Sequence, residues 1–337
     1  MILAQLNDLQ TKIDQTFIDL VTPGEPFALL DFPDHDNIGD SAIYLGETAF
    51  FARRGMRASY VCKVDNVDWS ALEAAIGGGP IYLHGGGNFG DIWEWFQPFR
   101  EEVLRRYPGR RVIQLPQTIH YASQGRIDQT ARAIEQHRNF VLLVRDQRSY
   151  DLATARFQCD VRLCPDMAFN IGQIRRPQPK GELLIHLRED KESSSNHDAS
   201  AYIGKPGVIF GDWPREGPEF RNRLMRKTAL KSKIRRLTLQ SKGGENAFRE
   251  LQYQVFAQAR VDRGVELLSS ARTVITDRLH GHSLCSLIGV THCALDNYYG
   301  KVAAFMAAWR TEGPGVHVAK SLDEAVETLR AKERLSV

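Results

Sequence analysis

The run Thr276-Asp277-Arg278-Leu279-His280-Gly281-His282-Ser283 joins an apolar strand at 273–276 to a helix-forming segment at 279–288. A strand that feeds directly into a helix is the repeating unit of an α/β sheet. The junction leaves unpaired backbone N–H groups and the positive end of a helix beside Arg278, which predicts an anion site. A plainer use of the same residues would pair Arg278 with Asp277 or another acid and tie His280 to backbone. Their shared position at one helix end favours the anion.

The same alternation extends in both directions. Apolar runs at 27–32, 59–64, 81–84, 112–115, 140–145 and 161–163, with helical segments at 41–54 and 149–157, predict a doubly wound parallel sheet in the first half. Periodicity breaks at 171–181, where Arg175, Arg176, Pro177, Pro179 and Lys180 read as a linker. It resumes with strands at 183–187, 208–210, 273–276 and 291–295 and helices at 246–270, 279–288, 298–309 and 321–335. Two α/β domains with a cleft between them are the simplest arrangement.

The totals exclude several classes. The chain has 337 residues, 42% hydrophobic and 25% charged, so it can bury two ordinary cores. A formal net charge of +3 does not by itself call for nucleic acid. Five cysteines, Cys62, Cys159, Cys164, Cys285 and Cys293, show no C-x-x-C spacing and read as reduced, mostly buried thiols. The first twenty residues keep a helical period broken by charge, unlike a signal peptide, and no run approaches the roughly 18 apolar residues of a membrane span. The expected location is the cytoplasm.

Two loops after strands carry further candidates. His84-Gly85-Gly86-Gly87-Asn88-Phe89-Gly90 satisfies G-x-G-x-x-G, but the next strand ends in Pro116-Gln117 instead of the acid a dinucleotide ribose needs. Its glycines are better suited to a tight turn and a close approach of backbone to a ligand. Asp34-His35-Asp36-Asn37-Ile38-Gly39-Asp40-Ser41 lies beyond the first strand, where open sheets bind ligands, and holds more carboxylates than helix capping requires. At least one is expected to face the cleft as a base. No metal is expected: no ligand spacing is present, and His280 and His282 would diverge by about 200° on a helix. The 281–285 run misses the last glycine of a G-x-S-x-G elbow, which argues against a serine hydrolase.

The segment 221–242 contains Arg221, Arg223, Arg226, Lys227, Lys231, Lys233, Arg235, Arg236 and Lys242 with no acidic residue. Interleaved Leu224, Met225, Leu230, Ile234 and Leu237 make it a candidate for an anionic membrane surface as much as a solvated insertion. It has no aromatic residues to stack on bases, so nucleic acid is not an expected partner.

Taken together, Asn37-Ile38-Gly39-Asp40, Gly85-Gly86-Gly87-Asn88, Leu115-Pro116-Gln117-Thr118, Val144-Arg145-Asp146, Pro165-Asp166-Met167-Ala168 and Arg278-Leu279-His280-Gly281 resemble, in order and spacing, the polysaccharide pyruvyltransferase family. The resemblance implies two Rossmann-like domains facing across a cleft in a GT-B-like arrangement. It implies transfer of the enolpyruvyl carbons of phosphoenolpyruvate to a sugar as a ketal, with phosphoenolpyruvate as co-substrate and no cofactor. The donor would be held by Arg188, Arg278, Leu279 and His280. His280 would be the proton donor, Arg278 a stabiliser of charge, and Asp40 the base. Asn37, Asp34, Asp36, Gly86, Gly87, Asn88 and Trp93 would serve the acceptor, Trp93 by stacking on a sugar ring. Residues 1–172 would form the acceptor-side domain, 181–314 the donor domain with 221–242 inserted, and 315–337 a terminal helix packing back on the first domain. The acceptor would be a sugar of an exopolysaccharide or of a lipid-linked oligosaccharide, reached at the inner face of the membrane. A GT-B-type glycosyltransferase using a nucleotide-sugar is the alternative that the same helix ends and arginines would suit.

Overall fold

The computed structural model describes residues 3–190, 197–239, 244–296 and 300–333. Its first half runs α1 (Leu3–Thr16), β1 (Ala28–Leu30), α2 (Ile38–Ala52), β2 (Tyr60–Val61), α3 (Trp69–Ile76), β3 (Ile81–Leu83), β4 (Gly86–Gly90), α4 (Gln97–Arg106), β5 (Val112–His120), α5 (Gln124–Glu135), β6 (Phe140–Val144), α6 (Gln147–Arg156) and β7 (Asp160–Leu163). A 3-10 turn, Met167–Ile171, leads to β8 (Gly181–His186), β9 (Val208–Gly211), α7 (Pro218–Leu239), α8 (Glu245–Leu268), β10 (Ala271–Thr276), α9 (Leu279–Ile288), β11 (Thr291–Ala294), α10 (Lys301–Trp309), β12 (Val316–Val318) and α11 (Leu322–Glu333).

The strands form two parallel sheets, as the strand–helix alternation predicts. The first has the order β2-β1-β3-β5-β6-β7, with β4 also on β5; the second has the order β12-β11-β10-β8-β9. In each sheet the chain leaves one inner strand toward one edge and its neighbour toward the other. These reversals fall between β1 and β3 and between β8 and β10, and such switch points open a crevice at the carboxyl ends of their strands.

Two elements depart from expectation. The glycine run 86–90 is itself a strand, paired with β5 through a register shift between Gly86 and Phe89. Strand β5 continues through Pro116 because that residue falls within a register shift against β6, between Gln114 and Gln117. A proline has no N–H to give a ladder, so it is tolerated where the ladder is interrupted.

Helix α2 starts at Asn37, whose side chain accepts from the Gly39 N–H. It then buries residues all around its circumference, which requires neighbours on every side. Helices α8 and α9 and the 3-10 turn provide them. One apolar cluster therefore continues from the first half to the second, from Phe50 and Ile113 to Phe256 and Leu284, with Phe32 stacked on Tyr253 at 4.0 Å.

The C-terminal helix corrects an expectation. Helix α11 lies on the second sheet, where Leu322, Val326 and Leu329 join Leu183, Ile185 and Leu295. Strand β12 pairs with β11 immediately before it, so the short connection holds the helix beside its own sheet. Residues 334–337, and 298–299 of the segment expected as helix at 298–309, lie outside the described residues. Among the described residues no helix is long and apolar enough to cross a membrane.

Candidate active site

A cavity of about 550 Å³ is lined by residues that follow strands of both sheets. His35, Asp36, Asn37 and Asp40 follow β1, Gly87 and Asn88 belong to β4, and Trp93 lies beyond it. Arg188 follows β8, Asp212 and Trp213 follow β9, and Arg278, Leu279 and His280 follow β10. Both switch points thus contribute, which is why the motifs of the two halves meet although each half has its own sheet.

His280 lies in the first turn of α9 and is nearly buried. Its Nε2 stands 3.3 Å from Asp166 Oδ2 and 3.4 Å from Arg145 Nη1. Arg145 in turn donates to Asp166 Oδ2 at 2.5 Å and to Thr118 Oγ1 at 2.9 Å. Burial pushes the Asp166 carboxyl up, but the His280 and Arg145 charges outweigh it and hold the group well below the usual carboxylate range. Asp166 therefore stays ionised beside the imidazole. On its other edge, the His280 ring lies directly against Gly39: a Cβ there would sit 2.2 Å from Nδ1. The Asn37-Ile38-Gly39-Asp40 motif thus provides the surface on which the imidazole rests. His282, two residues on, is fully buried between His292 Nε2 at 2.8 Å and Thr311 Oγ1 at 3.0 Å, a packing role.

The two arginines of the second half are held in place by carboxylates. Arg278 Nε and Nη2 each reach an oxygen of Asp212 at 2.5 Å, a bidentate pair. Its Nη1 donates to no group among the described residues. Arg188 Nε and Nη2 meet Asp190 at 2.9 and 3.0 Å, and Asp190 also lies 3.4 Å from Arg278. Asp277, the neighbour that could have neutralised Arg278, instead accepts the Arg188 backbone N–H at 3.0 Å. Burial pushes its carboxyl up to about 6.

On the facing side, Asp40 is held by Asn37 Nδ2 at 2.9 Å and lies 3.6 Å from His35 Nε2. Asp36 also lines the cavity. Asp34 does not: it accepts from Arg221 at 3.0 Å and Arg260 at 3.1 Å, and Lys63 lies at 3.3 Å. Its expected acceptor role is corrected, because three cations keep this carboxylate away from the cavity. Gly86 sits behind the cavity wall, close to Asp40 and Ile43, whereas Gly87 faces it, with Arg145 Nη2 only 3.0 Å from where a Cβ would be. Asn88 turns its amide oxygen inward to Arg100 and Gln117. Trp93 lines the mouth with Trp95, which is 71% exposed, and Phe96.

Arg145, Asp212 and Lys301 line the cavity and Asp166 meets His280, and none of the four is assigned a site role from sequence. Lys301 is nearly buried at the start of α10, with Nζ 3.5 Å from the Cβ position of Gly87. Arg145 and Asp166 lie within sequence motifs, and only the fold shows that they meet His280.

Beneath the acidic loop, His84 Nδ1 lies 2.9 Å from Glu47 within the core, and Asp31 is buried beside Arg100 at 3.4 Å. Burial pushes the Asp31 carboxyl up to about 7, against the lowering effect of Arg100. An acid whose folded pKa is raised contributes stability that is complete below its unfolded value and is lost as pH rises through the folded one. Asp31 also has φ 71°, which asparagine tolerates. Asp31→Asn is therefore expected to melt above the parent, by a margin that widens from about pH 5 to about pH 8. Melting curves across that range check this; a margin that shrinks with pH would show instead that the ionised carboxylate stabilises the fold.

Residues 37–298 match the family model described as polysaccharide pyruvyl transferase. The chain is 32% identical over 326 residues to Pyruvyl transferase 1 of Schizosaccharomyces pombe, covering 90% of this chain and 75% of that protein. It is 28% identical over 316 residues to EpsO of Bacillus subtilis, covering 89% of this chain and 90% of that one. A crystal structure of a Klebsiella pneumoniae protein shares the fold, with a TM-score of 0.59 at 16% identity over 93% of this chain and 99% of that one.

Proposed function

The chain belongs to the polysaccharide pyruvyl transferase family, and from that membership we propose that it moves the enolpyruvyl carbons of phosphoenolpyruvate onto two hydroxyls of one sugar, as a ketal. The observation that carries this reading is the meeting, in one cavity, of Arg188 and Arg278 with His280 and the facing Asp40. Phosphoenolpyruvate places a phosphate and a carboxylate on one small frame, which needs cations at two points and N–H groups at a helix start. Arg278 offers its Nη1 while Asp212 fixes the plane of the guanidinium. Arg188 offers the second cation and the first turn of α9, at Leu279 and His280, the N–H groups.

In this reading His280 transfers a proton to the vinyl CH2, which becomes CH3, and the adjacent carbon becomes electrophilic. A sugar hydroxyl attacks that carbon as Asp40 accepts its proton, and the C–O bond to phosphate breaks. The neighbouring hydroxyl closes the ketal. Of the two hydroxyl protons released, one restores His280 and the other leaves with phosphate. The arginines supply the positive charge that the departing phosphate requires. Residues 1–172 then act as acceptor side and 181–314 as donor side, facing across the cavity in a GT-B-like manner. The acceptor is a sugar of an exopolysaccharide or a lipid-linked oligosaccharide, met in the cytoplasm.

A thermal-shift comparison tests the donor, because a ligand selective for the folded state raises its apparent stability by about 2.7 kcal/mol at a hundredfold excess over Kd. Phosphoenolpyruvate is expected to raise the melting temperature of the parent and not of Arg278→Ala. A rise with a nucleoside diphosphate and none with phosphoenolpyruvate would give the site to a glycosyltransferase donor.

A further inference from the structure

Helix α7 joins the cavity to a strongly cationic surface. Arg221 Nη2 donates to both oxygens of Asp34 at 3.0 Å and its Nη1 to Glu216 at 3.1 Å. The buried Arg260 reaches the same two carboxylates and the Pro33 carbonyl. The first turn of α7 is thereby fixed to the loop that supplies Asp36, Asn37 and Asp40 to the cavity. Leu224 and Thr228 are buried, continuing from Arg221 at helical spacing and seating this face of α7 against α8.

The opposite face is left outward. Arg223, Arg226, Lys227, Lys231 and Lys233 are exposed and have no carboxylate partner among the described residues. Between them Leu230 is 60% exposed and Ile234 50% exposed. Large aliphatic side chains set among uncompensated cations are costly in water and suited to a surface that offers anionic headgroups above acyl chains. The outward face has no aromatic residue on which bases could stack. The helix reaches Leu239, and residues 240–242 of the basic segment lie outside the described residues.

We propose that the outward face of α7 docks on an anionic lipid surface, with Leu230 and Ile234 entering the headgroup boundary and the five cations meeting lipid phosphates. Because α7 is tied to the loop after β1, docking also fixes the direction in which the cavity opens. The docking does not depend on the donor chemistry proposed above.

Co-sedimentation of the full chain with phosphatidylcholine vesicles, with or without about 30% phosphatidylglycerol, tests it. The chain is expected to pellet with the anionic vesicles alone and to be released as salt shortens the Debye length. Replacing the five cations together (R223Q, R226Q, K227Q, K231Q, K233Q) is expected to weaken partition at least about 100-fold. The pair L230S and I234S, which keeps the charge, is expected to weaken it about tenfold. These side chains are exposed, so melting temperatures and turnover of a lipid-free acceptor should stay at the parent level. That control separates loss of docking from loss of transfer. Equal pelleting with neutral and anionic vesicles, or a five-site variant that pellets like the parent, would overturn the proposal. So would a parent that ignores both vesicles yet binds RNA or an acidic polypeptide through the same five residues.

Discussion

Replacing His280 with alanine is expected to lower kcat for phosphoenolpyruvate-dependent phosphate release about 10²–10⁴-fold, the range for removal of a positioned acid. The neighbours of the imidazole support that role. Asp166 lies 3.3 Å from Nε2 and is held ionised by the His280 and Arg145 charges despite its burial, so a proton on the ring has a fixed counter-charge. Arg145, 3.4 Å from the same nitrogen, also donates to Asp166 and so fixes that carboxylate beside the ring. In the proposed reading Arg188, Arg278 and the backbone N–H groups at Leu279 and His280 hold the donor, and alanine keeps its N–H, so His280→Ala should still show a thermal shift with phosphoenolpyruvate, whereas Arg278→Ala should lose it. Parallel melts of the unliganded variants guard against unfolding. A His280→Ala enzyme retaining more than about a tenth of the parental kcat would remove the residue from proton transfer.

How much of this site could be read from sequence depended on distance along the chain. Arg278 and His280 were visible because a strand, a helix start and two polar side chains fall within eight residues. The carboxylate that governs His280 is 114 residues away in sequence, and the arginine 135. Asp166 and Arg145 were conspicuous as members of motifs without any indication of what they touch. Asp34 and Asp40 share one acidic loop, and both are expected at the cleft, Asp40 as the base and Asp34 beside the acceptor. They differ because Arg221 and Arg260, 187 and 226 residues later, fold back onto Asp34 alone. Asp212, which orients Arg278, is a single acid after a strand and matches no pattern. The same limit applies to α11: an apolar stripe shows that a helix is covered, not which sheet covers it. Local periodicity placed the 279–288 helix at its observed bounds, because a strand or helix states its own period, but it did not single out α3, α4 or α5.

Gly39 makes the connection between the halves testable. A methyl at this position would lie 2.2 Å from His280 Nδ1 and 2.5 Å from Cγ, a separation that non-bonded atoms do not adopt, so the imidazole must move. It is confined by Asp166 and Arg145 on its other edge and cannot shift without losing one of them. Gly39→Ala is therefore expected to cost about 10²-fold in kcat, the scale of a catalytic group misplaced by about an ångström, and roughly 1–3 kcal/mol in stability from overpacking. Asn37 still caps α2 in this variant, so the helix itself should remain. The decisive measurement is a double-mutant cycle. In His280→Ala the ring is gone and the new methyl has room, so adding Gly39→Ala should lower neither residual activity nor melting temperature much further. Additive losses would mean that Gly39 acts through the loop or the helix start, and that its contact with His280 has no part in the reaction.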